Sequence, residues 1–205
     1  MSQEEHWENV YTTKTPEQVS WTQVVPKTSL ELIQATGVPK DATIIDVGGG
    51  DSNLVDFLLE AGYTNLTVLD ISESALKRSQ VRLGEKATKV KWIVSDIKTF
   101  QPTDNYEVWH DRAAFHFITD EKEKKRYVDT VAKYVTDTFI LGTFSENGPT
   151  KCSGLEISQY NELKLKLLFG ASFDLTNCFL EDHTTPFNTI QNFIFCSFKR
   201  RYSYC

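Results

Sequence analysis

The run Asp46-Val47-Gly48-Gly49-Gly50-Asp51-Ser52 combines a glycine turn with an acidic approach, and it follows the apolar stretch Thr43-Ile44-Ile45. Glycines in such a turn admit backbone conformations closed to other residues and let a ligand meet the main chain without a Cβ in the way. That favours a nucleotide-like ligand. Asp46 restricts the choice further, because a carboxylate beside a doubly charged pyrophosphate would be repelled. A ligand with a cationic group would be attracted. The third glycine of the dinucleotide fingerprint is also missing, with Asn53 in its place.

Three more acids close apolar segments downstream: Asp70 after Leu66-Thr67-Val68-Leu69, Asp96 after Val90 to Ser95, and Asp111 after Tyr106 to His110. Strand-ending acids of an open α/β sheet converge on a ligand lying across the carboxyl edge. Asp70 is placed to accept both hydroxyls of a ribose. Asp96 and the backbone at Ile97 suit an adenine amino group and ring edge, and Ile71 suits the ring face. Each acid taken singly also reads as a cap for a following helix. S-adenosylmethionine carries an amino group and a sulfonium but no phosphate, so it answers the whole set better than a dinucleotide does.

The elements that hold these residues alternate strand with helix. Strands are expected at Thr43–Val47, Leu66–Asp70, Val90–Asp96, Tyr106–Asp111 and Thr138–Phe144. Helices are expected from Ser52 to Gly62, from the Ser72 N-cap to Gly84, and over the segment that begins at Asp120. A helix around Ser158 to Leu168 then leads to Phe173–Leu175 and Phe193–Phe198, expected to pair antiparallel across the turn-rich sequence near Pro186 and Asn188. The expected fold is α/β: a Rossmann-like, seven-stranded, mostly parallel sheet with an antiparallel C-terminal strand and helices on both faces. A single domain is expected over residues 1–205. Within it, 1–40 serve as an N-terminal cap or lid, 41–145 as the ligand-binding core, and 146–205 as an acceptor-side loop and closing hairpin.

Composition limits the alternatives. The 205 residues carry 40% hydrophobic and 24% charged side chains, ordinary for a globular domain, and a net charge of −6. Bulk electrostatic binding of nucleic acid or of anionic membrane needs clustered positive charge, so neither is expected as a partner. The start of the chain lacks a basic, apolar leader and no run reaches membrane-spanning length, which points to a cytoplasmic protein. Cys152, Cys178, Cys196 and Cys205 show no C-x-x-C pair and do not bracket histidines at zinc-site spacing, so reduced thiols and no metal are expected.

The chain resembles the class I S-adenosylmethionine-dependent methyltransferases over nearly its whole length, and more narrowly their small, mostly bacterial members of about 200 residues. Ile45-Asp46-Val47-Gly48-Gly49-Gly50 is similar to the family's first motif, Val68-Leu69-Asp70-Ile71-Ser72 to the second and Ser95-Asp96 to the third. His6-Trp7-Glu8-Asn9-Val10-Tyr11, Ser20-Trp21, the segment Trp109 to Phe117 and Gly148 to Leu155 match the narrower group. Ser52 departs from the usual third glycine, a change tolerated if it caps the helix. The resemblance implies S-adenosyl-L-methionine as cofactor and a methyl group passed by in-line displacement. The cofactor would meet Tyr11, Trp21, Asp46, Gly48, Gly49, Gly50, Asp70, Ile71, Asp96, Ile97 and Asp111.

Methyl transfer asks a protein mainly to align nucleophile, methyl carbon and leaving sulfur, and a base is needed only for a protonated acceptor. Asp111, Arg112 and His116 are the candidate catalytic residues. Asp111 could hold the methionine ammonium or orient a substrate amine. Arg112 could pair with a substrate carboxylate or with Asp111 itself. His116 is either a base or hydrogen-bond donor, or a packed core residue between Phe115 and Phe117. Tyr11 and Trp21 either lid the cofactor or anchor the N-terminal segment. Cys152 lacks an adjacent base, so its loop is expected to shape the acceptor pocket rather than to supply a nucleophile. A small-molecule acceptor is the leading reading, a protein lysine the runner-up, and a non-catalytic cofactor-binding regulator the third.

Overall fold

The computed structural model describes residues 2–202. Its elements run α1 (Gln3–Thr13), α2 (Lys27–Ala35), β1 (Thr43–Val47), α3 (Leu54–Glu60), β2 (Asn65–Asp70), α4 (Glu73–Leu83), β3 (Val90–Val94) and β4 (Tyr106–Arg112). They continue as α5 (Glu121–Tyr134), β5 (Val135–Phe144), the short strands β6 (Lys151–Cys152) and β7 (Leu155–Glu156), α6 (Glu162–Phe169), β8 (Phe173–Thr184) and β9 (Ile190–Arg200). Seven strands form one sheet in the order β3-β2-β1-β4-β5-β9-β8, while β6 and β7 pair separately. Strands β1 to β5 are mutually parallel, and β9 is inserted antiparallel between β5 and β8.

The strands read as continuous apolar runs because both sheet faces are covered. Alternate residues go to opposite layers. Ile45, Trp109 and Leu141 pack with Tyr127 and Val131 of α5 and with Leu165 and Phe169 of α6. Ile44, Val108 and Ile140 pack with Leu32 and Ile33 of α2 and with Leu54, Val55 and Leu58 of α3. The period-two alternation fixes which residues at each strand's end face the ligand side.

Helix starts follow local chemistry. Ser72 Oγ caps α4 by accepting from Ala75 N, and Asp120 caps α5 through Lys122 N and Glu123 N. The helix expected from Ser52 begins two residues later at Leu54. Ser52 Oγ nevertheless accepts from Leu54 N at 3.2 Å, and Asn53 Nδ2 donates to the carbonyls of Gln23 and Val24.

Two expectations need correction. Strands β8 and β9 extend well beyond the apolar cores Phe173–Leu175 and Phe193–Phe198. Strand β8 lies at the sheet's edge with many exposed positions, so backbone pairing to β9 rather than hydrophobicity defines its length. That pairing sets Cys178 opposite Cys196 with their Cα atoms 4.2 Å apart, and the two are joined by a disulfide instead of remaining thiols. Their spacing in sequence hid a contact that only register creates. Cys152 is free and buried, and Cys205 lies outside the described residues. Among the described residues no helix is long and apolar enough to cross a membrane.

Candidate active site

A cavity of about 370 Å³ opens at the carboxyl ends of β1, β2 and β4, beneath α1 and the segment that follows it. Gly48 and Gly49, Asp46, Asp70, Ile71, Asp96, Ile97 and Arg112 all line it, together with Tyr11 and Trp21. The glycine turn is shaped by close contacts. A Cβ on Gly49 would stand 2.6 Å from Asp46 Oδ2, and Gly50, at φ +38°, would push one to 2.8 Å from Asp70 Oδ2. Gly50 therefore does not line the cavity as expected but lets Asp70 approach the turn. The amides of Gly48 and Gly49 both donate to the Leu69 carbonyl, at 2.8 and 3.2 Å. Those amides are thus committed to the protein and do not form a phosphate cradle, which agrees with the acidic approach.

Asp46 belongs to a buried chain that the sequence reading missed. Parallel register sets Asp46 beside His110. His110 Nδ1 lies 2.7 Å from Asp46 Oδ1, and its Nε2 lies 2.9 Å from Ser29 Oγ on α2. All three residues line the cavity. With Nδ1–H donating to the carboxylate, Nε2 accepts from the serine hydroxyl, and the two contacts fix the ring. The signal for it was the alternation of β4, which puts His110 on the same face as Arg112.

Asp70 accepts from Ser72 N at 2.8 Å. Burial, reinforced by the charges of Asp51 and Asp46, raises its carboxyl to about 7. Asp96 accepts from Lys98 N at 2.8 Å in a turn that leaves the side chain partly exposed.

The N-terminal segment covers this face. Glu8 of α1 accepts from Ser72 Oγ at 2.6 Å and also from Ser74 Oγ, tying α1 to the start of α4. Trp7 makes edge contacts with Trp21 and Phe117, at centroid distances of 5.5 and 5.0 Å, and Tyr11 stands 6.1 Å from Trp21. Tyr11 and Trp21 anchor the segment through these contacts and also line the cavity. Burial and the neighbouring Asp70 raise the Tyr11 phenol well above its ordinary range, so it stays a neutral donor.

At the end of β4 the three candidate catalytic residues part company. Arg112 turns into the cavity, where Nη1 donates to the Trp21 carbonyl at 3.0 Å and the guanidinium sits 5.2 Å from the Phe193 ring centroid. Its Nε and Nη2 are sealed from solvent and have no partner among the described residues. Burial lowers its ionisation to about 10, so it remains a cation at neutral pH.

Asp111, the next residue back, points to the opposite layer. It accepts from Ala114 N, Phe115 N and Tyr127 Oη at 3.1, 3.1 and 2.7 Å, and is fully buried outside the cavity lining. This corrects its placement in the site: strand alternation aims it away, which also excludes the ion pair with Arg112. Burial raises its carboxyl to about 6.

His116 is corrected likewise. It is fully buried, stacks on Phe144 at 4.4 Å, and has no hydrogen-bond partner on either ring nitrogen among the described residues. Burial, with Arg112 adding like charge, lowers it to about 3, so it is a neutral aromatic core residue and not a base. Cys152 does line the cavity, and burial pushes its thiol up to about 11, so it is a neutral wall rather than a nucleophile.

Comparison with known proteins agrees with this geometry. Residues 44–137 match the family model described as a methyltransferase domain. A curated relative, malonyl-[acyl-carrier protein] O-methyltransferase 2 of Ilyobacter polytropus, is 28% identical over 91 residues, which is 44% of this chain and 35% of that protein's length. The chain thus spans about a third of the curated relative it matches. Among solved structures, a SAM-dependent methyltransferase from Anabaena variabilis superposes with a TM-score of 0.74 at 14% identity, covering 98% of this chain and 96% of its own. The 1,6-didemethyltoxoflavin-N1-methyltransferase of Burkholderia thailandensis, solved with 1,6-didemethyltoxoflavin and S-adenosylhomocysteine bound, gives 0.68 at 16% identity, covering 97% of this chain and 84% of its own. Residues 44–137 thus carry the sequence pattern of a methyltransferase domain, and the chain as a whole has the fold of the S-adenosylmethionine-dependent methyltransferases on which it superposes.

Proposed function

We propose that the chain is an S-adenosylmethionine-dependent methyltransferase acting on a small-molecule acceptor. The observation that carries this reading is one aromatic-roofed cavity whose lining includes Asp46, Asp70 and Asp96 on the β1–β3 side and the buried Arg112 on the other. The residues fit the cofactor: Asp46 offers a carboxylate to the ammonium, Asp70 to the ribose hydroxyls and Asp96 to the adenine amino group, while Ile71 and Ile97 supply apolar walls. When bound, S-adenosylmethionine supplies a methyl group on a cationic sulfur, already activated as an electrophile.

The protein's own contribution is placement. His110 holds Asp46 Oδ1, so the ammonium falls to the other oxygen, and Trp7, Tyr11 and Trp21 exclude water above the site. A volume of about 370 Å³ falls in the range of pockets that enclose a small ligand. A lysine acceptor would bring an ammonium toward the Arg112 guanidinium, which repels it; an open acidic groove would have favoured that alternative. The Burkholderia enzyme's small heterocyclic acceptor is in keeping with the small-molecule reading. We assign residues 1–40 to the lid, 41–145 to the cofactor half and 146–205 to the acceptor side.

The test is transfer from tritiated S-adenosylmethionine to metabolite extracts and, separately, to lysate proteins. Label in the small-molecule fraction is expected. Label confined to protein would favour the lysine reading, and tight S-adenosylhomocysteine binding with no transfer would favour a regulatory role.

A further inference from the structure

A buried guanidinium with two sealed and unpaired nitrogens is costly, because a charge removed from water must be repaid by partners at the same place. Among the described residues Arg112 has one side-chain hydrogen bond, to the Trp21 carbonyl. The nearby acids do not answer it. Asp46 is held by His110, Glu181 accepts from Thr28 Oγ1, and neither forms an ion pair with Arg112 within 4 Å. Among the described residues, two N–H-bearing nitrogens of the guanidinium, Nε and Nη2, are therefore in want of oxygen.

Position identifies whose oxygen. The acids suited to ribose and adenine stand on β2 and beyond β3, to one side of β1. Arg112 stands on β4, under Phe193 of β9 and beside Gln191 and Cys152, on the other side of the sheet's centre. We propose that Arg112 is a specificity residue that binds a carboxylate of the methyl acceptor, so that the acceptor class is small carboxylic acids. This rests on the methyltransferase reading. The guanidinium carries Nε–H and Nη2–H side by side, the arrangement that pairs with a carboxylate, and a small displacement of the cavity wall over them admits it. The cofactor's own methionine carboxylate is the other source of the same chemistry, and the experiment separates the two.

Full-length protein saturated with S-adenosylhomocysteine is titrated by calorimetry and thermal shift with malonate, succinate, 2-oxoglutarate, citrate, benzoate and phenylacetate, each against its amide. At least one acid is expected to bind and its amide not to. Arg112→Met should weaken that acid about 10- to 100-fold, the span for hydrogen bonds to a charged group, while leaving S-adenosylhomocysteine affinity within about threefold. Arg112→Lys, which keeps charge but not the fork, should fall between and guards against a misfolded Met variant. Amides binding as well as acids, no acid binding at all, or unchanged acid binding in both variants would each overturn the proposal. So would loss of S-adenosylhomocysteine affinity in Arg112→Met with 5′-methylthioadenosine affinity retained, which would give the arginine to the cofactor's carboxylate. Failure of S-adenosylhomocysteine to bind the wild-type protein would instead strike the methyltransferase reading itself.

Discussion

Asp70 has a titration with a defined sign. Its carboxyl is raised to about 7, whereas ribose hydroxyls donate to the ionised form. Cofactor affinity should therefore rise as pH increases from about 6 to about 8, and S-adenosylhomocysteine binding should release a proton over that window. Calorimetry in buffers of different ionisation enthalpy measures both. Asp70→Ala should flatten the pH profile and weaken binding by about 1.5–3 kcal/mol; a collapse in melting temperature with affinity intact would make Asp70 a turn device instead. His116 has the opposite sign. Its pKa is depressed to about 3, so the stability that it contributes as a neutral ring is present above about pH 6.5 and is lost as pH falls toward 3. His116→Phe should keep wild-type transfer and lose less melting temperature between pH 7 and pH 5. A large drop in transfer rate at neutral pH with the fold retained would restore His116 to the chemistry.

At the scale of elements, β1 to β5 and the convergence of Asp46, Asp70 and Asp96 on one cavity were legible because their cues are local: apolar runs, turn glycines and acids at strand ends. The end of β4 was legible only in part. Asp111 and Arg112 are neighbours in sequence, and nothing in their types says which one a strand turns toward the cavity; the layer above and the layer below decide it. His116 shows the same limit, since the sequence offered both of its uses and burial against Phe144 selected one. The Cys178–Cys196 link depends on register between strands 18 residues apart in sequence, which spacing alone could not reveal. Reducing it should cost about 3 kcal/mol in chemical denaturation, as loop closure over that separation implies, and leave cofactor affinity unchanged because the bond is outside the cavity lining. A reduced protein with weakened S-adenosylhomocysteine binding would show that β8 and β9 transmit strain to the site.

The whole molecule pairs an acidic half-site with a cationic one in a single cavity, and this predicts how the chain responds to nucleotides. S-adenosylhomocysteine at about 100 times its dissociation constant should stabilise the fold by about 2.7 kcal/mol, whereas NAD should produce no shift, because Asp46 repels pyrophosphate and the Gly48 and Gly49 amides are taken by Leu69. A comparable shift with NAD would remove the basis for the cofactor assignment. The same unpaired charge makes the unliganded protein less stable than its sequence allows. Arg112→Met should raise the melting temperature of the free protein, since a hydrophobic side chain relieves an uncompensated buried cation. No gain in thermal denaturation would mean that water or Glu181 satisfies the guanidinium in the free state.

The insertion of β9 between β5 and β8 imposes an order of assembly. Strand β8 is synthesised first but has no sheet partner until β9 arrives, and β9 carries Gln191 and Phe193 to the cavity wall near Arg112. During synthesis the β1–β4 face can acquire its parallel pairings while that wall is still open, because β9 is the last strand of the sheet to be made. Hydrogen exchange on stalled nascent chains that end before Ile190 should therefore show protected β1, β2 and β4 amides and unprotected β8 amides. A nascent chain would then possess the Asp46 and Asp70 edge of the cavity before the β9 wall exists.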